Sequence, residues 1–127
     1  QKNLAGIDNL TTSFVAYPRP KIDLIAENLQ MEIYKIIQEL VTNTLKHANV
    51  TTIELQLNCI ENNLNILFED NGIGFDSQTK ESGIGFKNII SRLNAISGSM
   101  QIDSMLKRGT IINIEIPLNQ THSKTKV

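Results

Sequence analysis

Gln38-Glu39-Leu40-Val41-Thr42-Asn43-Thr44-Leu45-Lys46-His47-Ala48 is the stretch around which the chain is organised. It reads as the second half of a helix running from about Met31 to His47. Ile33, Ile36, Ile37, Leu40, Val41, Thr44 and Leu45 recur at spacings of three and four, which makes one apolar face. Glu39, Asn43, Lys46 and His47 lie together on a different face, in neighbouring turns. That face offers a carboxylate, an amide oxygen, an ammonium and an imidazole. Carboxylate and amide oxygens suit a hard cation such as Mg²⁺, and an ammonium suits a phosphate. An ordinary solvated face of an amphipathic helix would carry the same residues. The glycine motifs downstream decide between the two readings.

Downstream of this helix the period changes. Ile53, Leu55 and Leu57 alternate with Thr52, Glu54, Gln56 and Asn58. Glu61-Asn62-Asn63 reads as a turn, after which Leu64, Ile66 and Phe68 resume the alternation. Two such runs predict an antiparallel hairpin with one buried face, so helices should cover a single face of the sheet. The second run ends at Asp70, and Asn71-Gly72-Ile73-Gly74-Phe75 follows at once. Glycines at alternate positions permit a tight turn and close backbone approach to a ligand. A strand-end carboxylate directly before them can accept a hydrogen bond from a ligand amino group. Gly83-Ile84-Gly85 then opens another helix, with Phe86, Ile89, Ile90, Leu93 and Ile96 as its apolar stripe. A glycine-rich loop feeding a helix N-terminus is a ready anion site, or simply a flexible turn.

Gly98 is expected to cap this second helix. Met100, Ile102 and Met105 belong to a strand and its exit, Lys107-Arg108-Gly109 is a turn, and Ile111 to Ile116 is a strand closed by Pro117. Upstream, Leu4, Ile7, Leu10, Phe14 and Val15 suggest a short amphipathic helix over Asn3–Ala16. Tyr17-Pro18-Arg19-Pro20 would stop it. Ile22 to Leu24 suggest a short edge strand. The tail, residues 119–127, is polar and reads as disordered, with His122 solvated.

The totals set the outer bounds. A chain of 127 residues suits one domain with a sizeable core. With 40% hydrophobic residues, 20% charged residues and a net charge of −1, it gives no reason to expect binding to nucleic acid or to an acidic membrane surface. No apolar run approaches the roughly 20 residues of a membrane span. The single cysteine, Cys59, forms no internal disulfide and reads as a small core residue. The first residue is Gln1, which suggests a piece of a longer protein.

Four pieces occur in order: Glu39 and Asn43 on a helix, Asp70-Asn71-Gly72-Ile73-Gly74 after a strand, Gly83-Ile84-Gly85 before a helix, and Gly109-Thr110 before the last strand. Over about Met31 to Leu118 the sequence resembles the GHKL ATP-binding fold, also called the Bergerat fold. More narrowly, it resembles the catalytic and ATP-binding domain of a bacterial sensor histidine kinase. Gln38-Glu39 with Lys46-His47-Ala48, the short lid between Gly74 and Gly83, and Gly83-Ile84-Gly85-Phe86-Lys87-Asn88-Ile89 with Arg92 are similar to the nitrate-sensor and lipid-sensor type. The lid has no Phe-rich box, as that subgroup leads one to expect.

The resemblance implies an α+β, two-layer sandwich with a mixed, mostly antiparallel sheet covered on one face by helices. It implies a linker helix over residues 1–20, a catalytic domain over 21–118 and a tail over 119–127. It also implies that Asp70 receives the adenine amino group while Gly72 and Gly74 pass beside the base. Gly109 precedes Thr110, and Thr110 supports Asp70 and the adenine through water. Asn43 ligates Mg²⁺, and Glu39 orients a metal-bound water or accepts the proton of the attacking imidazole. Lys46 and His47 approach the phosphates, and Gly83, Ile84 and Gly85 close the lid. His47 as a helix-end cap and Lys87 as a solvated lysine remain open.

Neither histidine of the chain sits in an acceptor motif. The implied partners are a dimerisation and phosphoacceptor domain of the same kinase, homodimeric in the full-length protein, and a response regulator. No nucleic acid is implied, and the membrane enters only through segments of a membrane-anchored sensor whose cytoplasmic part this would be. An anti-sigma-factor type serine kinase, a degenerate module that binds nucleotide only to regulate, and a DNA-repair or chaperone ATPase of the same fold are the competing readings. Lys46-His47-Ala48 and the short lid favour the sensor kinase over the first. Intact Glu39, Asn43 and Asp70 argue against the second. The third needs further domains and a longer lid.

Overall fold

The alternating stretch after the first helix folds as expected. In the computed structural model, which describes residues 10–47, 52–72, 86–105 and 109–118, Thr52–Ile60 (β2) and Asn63–Asp70 (β3) form an antiparallel hairpin. Its register pairs Ile53 with Asp70, Leu55 with Phe68, Leu57 with Ile66 and Cys59 with Leu64. Directly opposed residues share a face, so this register puts the whole apolar set on one side. Glu61 takes a φ of 55° in the turn, and Asn63 already belongs to β3.

Ser99–Met105 (β4) and Gly109–Pro117 (β5) complete the antiparallel part. β5 lies between β3 and β4, and Ile112, Ile114 and Ile116 continue the apolar rows begun by Phe68, Ile66 and Leu64. The sheet has five strands in the order β1-β2-β3-β5-β4.

The first strand corrects the expectation for the start of the chain. Thr11–Tyr17 is strand β1, paired in parallel with β2 along its whole length, and not part of an amphipathic helix over Asn3–Ala16. Thr-Thr-Ser-Phe-Val-Ala-Tyr is rich in β-branched and aromatic residues, which lose side-chain freedom in a helix and pack well on a pleated surface. The apolar residues at helical spacing concealed that preference. The sheet thus takes in residues that the sequence assigned to a linker.

The proline pair has the opposite effect from the one expected. Arg19–Asp23 is a short helix (α1) with Pro18 at its N-cap and Pro20 in its first turn, where a missing N–H costs nothing. The edge strand expected at Ile22–Leu24 is therefore absent there: Ile22 is helical and Leu24 is the C-cap.

The central helix, Glu27–His47 (α2), starts four residues earlier than the sequence suggested. Leu29, Ile33, Ile36 and Leu40 are buried against the sheet, with Ile37 and Val41 packed beside them. Lys87–Ala95 (α3) buries Ile89 and Leu93 into the same core, flanked by Phe86 and Ile96. Ile90 does not belong to that stripe: it is 45% exposed, because it follows Ile89 by one residue and so turns about 100° away.

The end of α3 is a Schellman motif. The Gly98 N–H donates to the Leu93 carbonyl at 2.8 Å and the Ser97 N–H to the Asn94 carbonyl at 3.3 Å. Ser97, with φ 61°, is the left-handed residue. Gly98 lies one position further on, where a Cβ would approach Leu93 Cδ2 to 2.7 Å. A side chain at Gly98 would have to displace the end of Leu93, so the glycine favours close packing of the helix end and does not serve a left-handed dihedral.

The fold is thus a two-layer α+β sandwich with a mixed, mostly antiparallel sheet. One sheet face and the helices share a single core of buried residues from Ile25 to Ile116. Cys59 lies in that core, and burial pushes its thiol pKa up against the opposing charge of Lys21. It is an inert packing residue.

Candidate nucleotide site

The apolar rows stop at one end of the sheet and polar residues replace them. Where the next buried residue of β3 would be apolar, Asp70 stands, opposite Thr110 of β5. Both are buried, at 7% and 6% exposure, and they are the buried polar or charged residues among those described. Thr110 is in turn paired with Ser104 on β4. The two hydroxyl oxygens are 2.8 Å apart, and the Ser104 hydroxyl also lies 3.3 Å from the Gly109 carbonyl oxygen.

The strand end is held in place by its own backbone. The Gly72 N–H donates to Asp70 Oδ1 at 2.8 Å, closing a tight turn around the carboxylate. Asn71 clamps the turn to β2: the Thr52 N–H donates to Asn71 Oδ1 at 2.8 Å, and the Asn71 N–H donates to the Thr52 carbonyl at 3.3 Å. Gly109 has φ 91°, and a Cβ there would collide with the Asp70 carbonyl oxygen and lie 3.1 Å from Asn71 Cα. Only glycine lets β5 begin this close to the end of β3.

Burial raises the Asp70 pKa above the ordinary carboxylate value of 3.8, and the Gly72 hydrogen bond opposes that shift. Its effect on stability follows. A raised native pKa means that the folded chain holds the proton more tightly than the unfolded chain. Stability is therefore lost as pH rises from 3.8 through the native value, and the loss persists above it. Asp70→Asn keeps the acceptor for Gly72 and removes the charge. In the ligand-free chain it is expected to raise the melting temperature at pH 7 by more than at pH 4, as scanning calorimetry would show. An equal effect at both pH values would contradict the assignment of a buried, strained carboxylate.

The second group of polar residues lies on α2. Glu39 and Asn43 are one turn apart and half-buried, and Lys46 is exposed. Glu39 is engaged by α3. Arg92 Nε lies 3.5 Å from Glu39 Oε1 without hydrogen-bond geometry, and Asn88 Nδ2 donates to Glu39 Oε2 at 3.5 Å. Arg92 also approaches Glu32 Oε1 at 3.8 Å, and Glu32 pairs with Lys35 at 3.7 Å. These groups are exposed enough that their pairing adds little to stability. Their effect is to orient the Glu39 carboxylate toward α3.

Short stretches of chain link the two groups. Residues 48–51 are all that separate the end of α2 from Thr52, which is clamped to the turn after Asp70. Residues 73–85 leave from Gly72 and re-enter at Phe86, directly before α3. Gly74, Gly83, Ile84 and Gly85 fall within that segment, outside the described residues; the side chain of His47, Lys107-Arg108 and the tail with His122 lie outside the described residues as well. Sequence reasoning missed Ser104, whose role rests on a cross-strand pairing. It noted Asn88 and Arg92 without seeing that their spacing of four places both opposite Glu39.

Comparison with known proteins agrees with this arrangement. The sequence profile described as histidine kinase-, DNA gyrase B-, and HSP90-like ATPase matches residues 28–120, more than half of the chain. The chain belongs to that ATPase family. It is 34% identical over 92 residues to the oxygen sensor histidine kinase NreB of Staphylococcus carnosus, covering 71% of this chain and 26% of NreB. It is 35% identical over 92 residues to the sensor histidine kinase ComP of Bacillus subtilis, covering 70% of this chain and 12% of ComP. The chain thus spans about a quarter or less of these relatives. A solved structure of a blue-light activated histidine kinase from Erythrobacter litoralis superposes with a TM-score of 0.77 at 21% identity, over 96% of this chain and 40% of that one. The ATPase fold is therefore shared, and the turn after Asp70, the Gly109-Thr110 strand start and the polar face of α2 all lie within the residues that the family profile matches.

Proposed function

We propose that this chain is the ATP-binding catalytic domain of a two-component sensor histidine kinase. It passes the γ-phosphoryl group of ATP to a histidine on a separate dimerisation domain, from which it moves to an aspartate of a response regulator. The observation that carries this reading is Asp70. A carboxylate buried at a strand end, with its charge disfavoured by burial, is costly unless a ligand repays it. The adenine amino group is such a ligand, because it donates a hydrogen bond where the carboxylate accepts. Guanine presents a carbonyl oxygen at the same place and is rejected.

The other residues divide the remaining work. Gly72 and Gly74 let the backbone pass beside the base, and Thr110 supports the base edge next to Asp70. Lys46 and His47 neutralise phosphate charge, and Gly83, Ile84 and Gly85 close over the triphosphate. Phosphoryl transfer needs positioning and charge neutralisation more than covalent help from the protein. Glu39, held by Asn88 and Arg92, accepts the proton of the attacking imidazole or orients a water beside it.

The donor set fits Mg²⁺ arriving with the nucleotide. Among the described residues no group of three or more His, Cys, Asp or Glu could hold a metal on its own. Mg²⁺ is commonly bound through one or two protein oxygens plus substrate phosphates. Asn43 would contribute its amide oxygen and Glu39 would act through a bound water, and the ion would supply charge neutralisation across the phosphates. The domain works on the cytoplasmic side of a membrane-anchored sensor. No helix among the described residues is long and apolar enough to cross a membrane itself.

The test is phosphoryl transfer in trans. With Mg²⁺ and γ-labelled ATP, the chain alone is expected to acquire no stable label. Adding a histidine phosphoacceptor domain should place label on that domain, labile to acid and stable to base. Acid-stable label on this chain, or on a serine of a partner protein, would contradict the proposal.

A further inference from the structure

Ser104 belongs to no glycine motif and to neither polar group on α2, yet the sheet carries its side chain to the nucleotide site. Registered neighbours on adjacent strands point to the same face. Asp70 pairs with Thr110 and Thr110 with Ser104, so the three side chains form one row across β3, β5 and β4. Along the preceding row, Phe68, Ile112 and Ile102 occupy the same places with apolar groups. The polar row is thus confined to the strand ends around Asp70.

We propose that Ser104 is a positioning residue that sets which hydrogen-bonding sense Thr110 presents to the base; this rests on the adenine reading of Asp70. A hydroxyl has one proton and two lone pairs. Acceptors within reach of Ser104 include the Thr110 hydroxyl at 2.8 Å and the Gly109 carbonyl at 3.3 Å. With the Ser104 proton on the shorter contact, Thr110 accepts from Ser104 and turns its own proton toward the base edge, directly or through one water. The edge then shows a donor at Thr110 beside an acceptor at Asp70. Adenine is the matching purine, with an amino donor next to the N1 acceptor. Guanine is mismatched at both places, because its carbonyl meets Asp70 and its N1–H meets the Thr110 proton. Selectivity thus comes from a two-hydroxyl relay as well as from the carboxylate.

The relay is separable from a mere packing role by changing the nucleotide. 1-Deaza-ATP keeps the amino group and replaces N1 by C–H, so it gains nothing from a donor at Thr110. By calorimetry, the wild-type chain is expected to bind ATP about fivefold to tenfold more tightly than 1-deaza-ATP, the worth of one net hydrogen bond. In Ser104→Ala that ratio should fall to about twofold or less, mainly through weaker ATP binding, and Ser104→Thr should restore it. A Ser104→Ala chain that weakens both nucleotides equally would overturn the relay, as would a wild-type ratio near one. Either result would leave Asp70 as the adenine acceptor. Failure of the wild-type chain to bind ATP at all would overturn the adenine reading and the relay with it. Thermal melting of the ligand-free variants distinguishes misfolding from a lost relay, and Ser104→Thr supplies a second folded variant.

Discussion

Asn43→Ala is expected to cut phosphoryl transfer from ATP to a histidine acceptor by about a thousandfold, comparable with the loss of a preorganised charge-stabilising group. Asn43 is half-buried on α2, one turn beyond Glu39, at the edge of the stripe formed by Ile33, Ile36 and Leu40. Truncation there removes none of the buried apolar side chains, and thermal melting of the variant checks that the fold persists. What is lost is the amide oxygen proposed to hold Mg²⁺ against the phosphates. The effect should therefore depend on the metal: ATP affinity without Mg²⁺ changes little, and the gain in affinity on adding Mg²⁺ disappears. Initial rates of label transfer, together with calorimetry at both metal conditions, check this. A variant that transfers label within about threefold of wild type would remove Asn43 from the mechanism, since that is below one hydrogen bond's worth.

Gly109→Ala is expected to destabilise the chain by about 3 kcal/mol, on the scale of strained positive-φ positions with added overlap. Two effects act together. Alanine resists the φ of 91°, and its Cβ would be driven into the Asp70 carbonyl and the Asn71 backbone. Neither neighbour can yield cheaply, because the obstacle is backbone and the Asn71 turn is clamped to β2. Whatever relief occurs must push β5 away from β3, and that moves Thr110 relative to Asp70. Urea unfolding should show the loss, and the surviving folded fraction should bind ATP more weakly. Stability within about 0.5 kcal/mol of wild type, the range of an ordinary surface change, would contradict the close approach of β5 to β3.

Much of this was legible in the sequence because strict periodicity leaves few alternatives. The run from Ile53 to Phe68 could face a core in only one register, and that register delivers Asp70 to the strand end. Three and four spacing likewise picked out Ile33, Ile36 and Leu40 on the buried face of α2, although Leu45, assigned to the same face, is 38% exposed near the helix end. The start of the chain was illegible because two signals conflicted. Phe14 and Val15 fit a helical stripe, while Thr11, Thr12, Val15 and Tyr17 favour a strand. The pairing with β2, a contact far away in sequence, settled it. Tyr17-Pro18-Arg19-Pro20 was read as a stop, although a proline that ends one element can begin a helix.

The candidate site was legible where its chemistry is local: Asp70 directly before a glycine turn, and Glu39 with Asn43 on one helix face. Ser104 was not, since nothing near it in sequence marks it. It acquires a role only because β4 runs antiparallel to β5 in the register that sets Ser104 opposite Thr110. Arg92 and Asn88 show the same dependence, being ordinary surface residues of α3 until the packing of α3 on α2 brings them to Glu39.

The central claim is that Asp70 is a buried adenine acceptor, and it is tested most directly by calorimetry of the wild-type chain and Asp70→Asn with ATP and with GTP. The prediction is ATP binding by the wild type, preferred over GTP by at least tenfold, and loss of that preference in Asp70→Asn while the variant remains folded. Equal binding of ATP and GTP by the wild-type chain, or undiminished ATP preference in the variant, would contradict it.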